Sequence, residues 1–506
     1  MIPTRRLALP LGLVTIASFL ASSSAHSAAN ATLCVGGKPG CFATIQAAVD
    51  AAETGDTIQL APGTFRGGIT ILKDIDLVGA GPGATTIDGG GPVLTIGEFK
   101  GAQPTVSISR VTISGGLVDS DGVAAGGGVS IPFPGPGLQR STVAISDSVV
   151  TGNRVAPARL FPAGGFCGST PCAVAWGGGI DNSGNLTLTN TRVTDNVAGS
   201  TPTDGSAATI AQGGGIRSHP GATLTLDHSV VAGNRAAVSA PNGQFSDGGG
   251  IASNAVLTIG DSAVTGNISS VTASVPSLFP FDVQQEANAG GLYLSGGSST
   301  TIAGSRISGN RVDSSNSAGD VEAEAGGIDS DGSLLLVDSH VDHNTITGSV
   351  PASSGFVAEA DGAGLQIQGA TTLRRSHVTD NSLSSTSATG TAAASGGGLF
   401  NLGASLTLED TVVAANSAAA NGAGGVNLGG GIANVQFFGP PPELTLTDSV
   451  IVANRLAATP GVASQGAGLF NLEVTNLDPF TTGNPFPVTS AGSVIEGNKP
   501  DDCAGC

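Results

Sequence analysis

Charge and aromatic rings are both scarce in this chain. Asp, Glu, Lys and Arg together make 11% of its 506 residues and Phe, Trp and Tyr 4%, with one Trp, one Tyr and one Met. Basic residues number 19 against 38 acidic ones. That balance argues against a nucleic-acid partner, whose affinity comes largely from basic contacts to phosphate. Beyond the N-terminus no run approaches the ~18 apolar residues that a membrane helix needs. Low charge alone would fit a disordered chain, but the aliphatics recur in register, as a packed core requires. Alternating Val, Ile, Leu and Thr favour strands.

Glycine is abundant instead, at 79 residues, and it marks a repeat. Gly177-Gly-Gly-Ile-Asp-Asn-Ser-Gly-Asn-Leu-Thr-Leu-Thr-Asn-Thr-Arg-Val-Thr-Asp-Asn196 is the unit. The aliphatic after the glycines returns at Val129, Ile180, Ile216, Ile251, Leu292, Ile328, Leu365, Leu399, Ile432 and Leu469, in steps of 33 to 51 residues. The closing Asn returns from Asn153 and Asn196 through to Asn454 and Asn498. Self-similarity of this kind is the mark of a solenoid and overrides a domain count based on length. Four short strands can be traced per repeat, followed by a variable stretch after the closing Asn, where insertions enter. The Gly corner supplies positive φ or close approach between coils. The stacked Asn is expected to hydrogen-bond from coil to coil.

Residues 1–31 read as a secretory signal, with Arg5 and Arg6, an apolar run from Leu7 to Leu20, and small residues after it. Thr4-Arg5-Arg6-Leu7 loosely resembles a twin-arginine signal. Removing the segment leaves 17 basic and 38 acidic residues, a net charge of −21. The expected location is therefore extracellular, released or held non-covalently at a cell surface. An exported chain with an even cysteine count suggests disulfides within the local pairs Cys34/Cys41, Cys167/Cys172 and Cys503/Cys506. Cys503-Ala-Gly-Cys506 reads as a terminal staple rather than a redox motif.

Apolar residues at helical spacing over Phe42–Glu53, with Thr44 as cap, predict a short amphipathic helix in an N-terminal cap over residues 32–55. With the strands that follow from Asp56, this start resembles the pectin-lyase-like right-handed parallel β-helix family, in which such a helix plugs the first coil. The expected fold is therefore all-β: a single right-handed parallel β-helix of about twelve coils over residues 56–500, with a disulfide tail at 501–506. Residues 120–500 also resemble repeats of polymorphic outer-membrane proteins, through Gly-Gly-[Gly/Ala]-[Ile/Leu/Val] and [Val/Ile]-x-x-Asn. That family usually has Phe where this chain has Val150, Val193 and their equivalents.

Aligning the repeats on the aliphatic exposes two polar columns. Four positions earlier stand Trp176, Gln212, Asp247, Asn288, Glu324 and Asp361. Six earlier stand Val174, Ile210, Phe245, Glu286, Glu322 and Glu359. The small residues between them should face the core, so both columns should face outward. One position after the aliphatic, Asp181, Arg217, Tyr293, Asp329 and Gln366 flank the same face. Three readings follow. The plainest is a solvated acidic face.

A second is a ligand or cation site. Trp176, Arg217, Phe245, Glu286, Asn288, Tyr293 and Gln366 would contact a ligand, and Asp247, Glu322, Glu324, Glu359 and Asp361 would hold Ca²⁺, which favours dense oxygen ligands. The third is catalysis by Glu322, Glu324, Asp329, Glu359, Asp361 and Tyr293, since paired carboxylates serve glycoside hydrolysis. The pectate lyase resemblance would imply Ca²⁺-assisted uronide cleavage, but the sequence has no polygalacturonase-type Asn-Thr-Asp, His-Gly or Arg-Ile-Lys set.

The leading expectation is a non-catalytic, adhesin-like module that binds a polysaccharide or cell-envelope component. The alternative is a polysaccharide lyase or glycoside hydrolase. A separate column of Arg306, His340 and His377, with Asp342 nearby, reads as a polar ladder that could alternatively bind metal or move protons.

Overall fold

The structure, a computed structural model, describes residues 30–157, 172–200, 208–240, 243–274, 285–351, 355–436, 441–477 and 480–506. The signal segment up to residue 29 and Cys167 lie outside them. The chain winds as a right-handed parallel β-helix. A full coil contributes one strand to each of five sheets. In one coil these strands are Asn185–Thr189, Arg192–Thr194, Val197–Ser200, Ala208–Gln212 and Ile216–Ser218. We number the sheets first to fifth in that order. Pairing between successive coils is parallel and in register, as in Leu186 with Leu224 and Val193 with Val231.

Two expectations change. The repeat has five strands, not four, because the stretch after the closing Asn also pairs, as in Arg235–Ser239 and Ile268–Ala273. Its inward residues are often small, so alternation was faint in sequence; Ala236, Val271, Val312 and Ile346 form a core of their own there. The third and fourth sheets have ten strands each among the described residues, giving about ten full turns rather than twelve. The first coils lack those two strands.

The main core is a stack of aliphatics, with Ile180, Leu188, Val193 and Ile216 fully inside. At the corner between second and third sheets the Asn side chains form a buried ladder. From Asn153 to Asn498 each Nδ2 donates to the Oδ1 of the Asn in the next coil, at 2.9–3.0 Å. The same oxygen accepts the preceding Asn's backbone N–H, as Asn234 Oδ1 does from Asn196. Paired this way, a buried amide avoids the ~1–3 kcal/mol cost of an orphaned group. The glycine opposite is required by space: a Cβ on Gly179 would lie 2.7 Å from the Gly215 carbonyl and 2.9 Å from Asn196 Nδ2.

Both ends are closed. The helix Ile45–Ala51 starts at Thr44, whose hydroxyl accepts from Ala47 N, and buries Ile45, Ala48 and Val49. Lys73 Nζ donates to the carbonyls of Ala52 and Asp50 at its other end, at 2.7 and 2.8 Å, where cations suit orphan carbonyls. The strand Thr32–Val35 already pairs with Asp56–Leu60, so the ladder begins within the cap. A disulfide joins Cys34 to Cys41. At the far end Asp502 Oδ1 accepts from both Asn498 N and Nδ2, terminating the Asn ladder. Cys503–Ala504 pairs with Leu469–Phe470, and Cys503 is bonded to Cys506. Cys172 is also disulfide-bonded. No helix among the described residues is long and apolar enough to cross a membrane.

Candidate functional site

The fourth and fifth sheets meet at the glycine corner, and their outward residues face each other across it. In-register pairing sets Trp176, Gln212, Asp247, Asn288, Glu324, Asp361 and Ser395 in one column. Phe245, Glu286, Glu322 and Glu359 form the second. The fifth sheet supplies Asp181, Arg217, Ala252, Tyr293, Asp329, Gln366 and Phe400. Ala175, Ala211, Ala287, Ala323 and Ala360 point inward and are fully buried.

The expectation of a solvated acidic face does not hold. Asp247, Glu324, Asp329 and Asp361 are 5%, 8%, 2% and 3% exposed, and Gln366 is 0%. Glu286, Glu322, Glu359, Tyr293, Trp176 and Phe245 are half-buried. The columns point away from the coil interior, yet each shelters the other in the angle between sheets. Sequence alternation assigns a side chain to a face of its sheet; it does not tell whether that face is folded against another.

Burial raises the acids' proton affinity. Asp247 is pushed up to about 6 by desolvation, against a hydrogen bond from Gln212 and the charge of Arg217. Desolvation lifts Glu286 to about 7, although Asn288 donates to it at 2.6 Å. Glu324, Asp329 and Asp361 rise well above the carboxylate range through burial first and mutual repulsion second. Glu359 is raised too, mainly by burial, and hydrogen-bonds to Asp361. Desolvation also raises Tyr293 and lowers Arg217. The cluster therefore holds protons at neutral pH that exposed carboxylates would release.

Its hydrogen bonding is incomplete. Gln212 Nε2 donates to Asp247 at 2.6 Å and Arg217 Nη1 to Asn254 Oδ1 at 2.7 Å. Yet Asn288 Oδ1, Asp329 Oδ1, Asp361 Oδ1, Arg217 Nε and both amide atoms of Gln366 are buried without a partner. Gln366 sits beside Glu324 and eases its ionisation slightly, but neither amide atom completes a hydrogen bond.

A third column was missed in the sequence. Three positions after the aliphatic lie His219, Asn254 and Asp331. His219 Nε2 is 2.7 Å from Asp181 Oδ1 and its ring meets Trp176 edge-on at 5.1 Å. Asp331 is half-buried and takes the Tyr293 hydroxyl's hydrogen bond. Counting two further along the fifth-sheet strand would have found them.

The groove changes character towards the C-terminus. There the same columns continue as Ala393, Phe400, Val426, Leu428, Ala433 and Phe470, packed as an apolar cluster.

Metal-binding geometry lies elsewhere. Among the described residues, the three potential ligands whose donor atoms approach within 4.8 Å of one another are Asp227, His228 and Asp261. The acids expected to hold Ca²⁺ converge in no such trio. Glu322 and Glu324 share one rung, Glu359 and Asp361 the next, and Asp247 stands two rungs before Glu324. In the Arg306 column, His340 and His377 stack at 4.8 Å with rings 6° from parallel. Asp342 is engaged by Arg306 at 2.9 Å, by His343 at 3.3 Å and by Ser308. Burial opposes its ionisation, but these hydrogen bonds prevail and lower it.

No family model matches the chain, and no curated protein does. Among solved structures it is similar to the A-module of mannuronan C-5 epimerase AlgE6 from Azotobacter vinelandii. That match has 14% identity over 90% of this chain and 95% of the other, at TM-score 0.37. The AlgE4 A-module from the same organism matches at 14% identity over 91% and 94%, with TM-score 0.29. A polygalacturonase from Erwinia carotovora ssp. carotovora matches at 13% identity over 76% and 93%, with TM-score 0.24. Likeness this distant carries nothing about activity. The class is set by the chain's own pairing: a right-handed parallel β-helix. The similarity to polymorphic outer-membrane repeats rests on sequence motifs alone.

Proposed function

We propose that this protein is an exported β-helix that holds an extended glycan along the groove between its fourth and fifth sheets. One observation carries the reading. The chain's single Trp and single Tyr are gathered with buried carboxyl and amide groups, several of which have an atom lacking a partner, along one line of rungs spaced by roughly 4.8 Å. Each orphaned group costs about 1–3 kcal/mol, and a ligand rich in hydroxyls would relieve several at once. The N-terminal signal pattern and the disulfides support export to an oxidising compartment.

Trp176, being the only tryptophan, supplies the test. Its fluorescence should change saturably on titration with at least one member of a panel of soluble polysaccharides, and Glu324→Gln with Asp361→Asn should weaken that response. A flat signal across the panel, with no retention in affinity electrophoresis, would remove the reading.

A second reading is catalysis, favoured by the unequal acidities within the groove. A carboxyl still protonated at neutral pH can donate its proton to a glycosidic oxygen, while an ionised neighbour takes one from the attacking water. Glu324, Asp329 and Asp361 suit the first role. Asp247 and Glu286, at about 6 and about 7, suit the second. Release of reducing ends, or absorbance from unsaturated uronides, on the same panel separates turnover from binding.

A further inference from the structure

The groove's charge and its orphaned atoms bear on what kind of glycan fits. Between Asp247 and Asp361 the middle rungs gather eight carboxyls, and among the described residues the guanidinium that acts on them is that of Arg217, through Asp247. A polyuronate would bring further negative charge into that field. Among the described residues these acids do not converge in threes around one point, the arrangement that a single caged cation would call for. The acids are instead spread over four successive coils, which a polymer with one positive charge per unit can meet coil by coil, and the rung repeat is close to the length of one sugar ring in an extended chain.

The orphans carry the same sign of argument independently of charge. On three successive coils, Asn288 Oδ1 and Gln366 Oε1 are acceptors without donors, and Asp329 Oδ1 and Asp361 Oδ1, also unpartnered, become acceptors once their carboxyls ionise; all four side chains are at most 4% exposed. One donor, Gln366 Nε2, is orphaned beside them. The missing ligand is therefore chiefly a donor. An ammonium offers three donors and no acceptor, and ring hydroxyls supply the rest.

We propose that the groove takes an amino-sugar polymer with free ammonium groups, one ammonium to each acidic rung around Asp329 and Asp361. This rests on the glycan-binding reading and goes beyond it in naming the substrate class. Binding would expel protons from the cluster, since a cation among the carboxyls favours their ionised form.

Calorimetric titration at about pH 6, where glucosamine is charged, tests it with four probes: a glucosamine hexamer, its fully N-acetylated counterpart, a galacturonate hexamer and hexalysine. The glucosamine hexamer should bind at least about tenfold tighter than the other three, more weakly as salt is added, and with proton release in buffers of different ionisation enthalpy. Asp329→Asn with Asp361→Asn should reduce that affinity about tenfold. The ranking on the native protein decides the matter even if this variant folds poorly. Tighter binding of the N-acetylated or galacturonate hexamer would overturn the inference and leave the glycan groove standing. Equal binding of hexalysine would reduce it to charge attraction. If no sugar binds, the glycan reading falls together with it.

Discussion

The same groove is polar over its middle coils and apolar towards its C-terminal end, although both stretches are closely buried. Asp329 and Asp361 are 2% and 3% exposed; Phe400 and Phe470 are 2% and 0%. The backbone frame is shared, with the same register and the same corner. Burial alone therefore does not dictate the residue type. The apolar end shows what stability would choose, since burying a phenylalanine contributes about 1.5–3 kcal/mol. The acidic middle departs from that choice and leaves atoms unpaired. Departures of this kind concentrate where a protein does its work.

The largest test acts on the apolar end. Phe470→Ala should cost about 3–5 kcal/mol through lost transfer energy and the cavity left behind. A urea unfolding curve would show this, and a loss under about 1 kcal/mol would mean the end cluster is not closely packed.

The middle should respond to pH in a direction the end does not. Asp247 and Glu286 are raised to about 6 and about 7 in the fold, whereas the unfolded chain releases those protons near pH 4. Between those values the folded state binds more protons, so stability falls as pH rises through the window. For Asp247 alone the loss is roughly 3 kcal/mol. Urea midpoints should therefore drop from about pH 4.5 to 7.5, and Asp247→Asn should flatten part of the slope. A rising profile would contradict the buried, proton-holding cluster.

Giving the middle the chemistry of the end should help folding. Glu324→Leu removes a buried acid without opening a cavity and should raise stability by about 1–3 kcal/mol, while weakening any ligand response of Trp176. Equal destabilisation by Glu324→Leu and Phe470→Ala would erase the contrast between the two stretches.

The smallest effect is expected outside the groove. Arg375 makes two hydrogen bonds to Asp338, at 2.7 and 2.8 Å, on the exposed surface. Exposed ion pairs are screened and contribute little, so Arg375→Ala should leave the melting temperature unchanged within error. A measurable drop would show that the outer corner is more rigid than its exposure suggests.

Much of this architecture was legible in the residues. The recurring Asn at one place per repeat announced the ladder, because an amide that both donates and accepts can stack indefinitely. Thr44 and the apolar spacing after it announced the capping helix. The columns through Asp247, Glu324 and Asp329 also followed, because a parallel solenoid in register places equivalent residues above one another. Less visible was the strand after each Asn, as in Val197–Ser200, whose small side chains give a weak alternating signal.

The sequence by itself thus determined the solenoid, its register and the identity of the residues on each rung. Periodicity and in-register pairing are local rules repeated along the chain. Only the tertiary structure decided that the acidic rungs are buried rather than bathed in water. It alone brought Asp331 and His219 beside Tyr293 and Trp176, respectively. The angle between two sheets is set by how whole coils close on themselves. That angle converts an outward-facing column into a sheltered groove, and with it an ordinary carboxylate into one that keeps its proton.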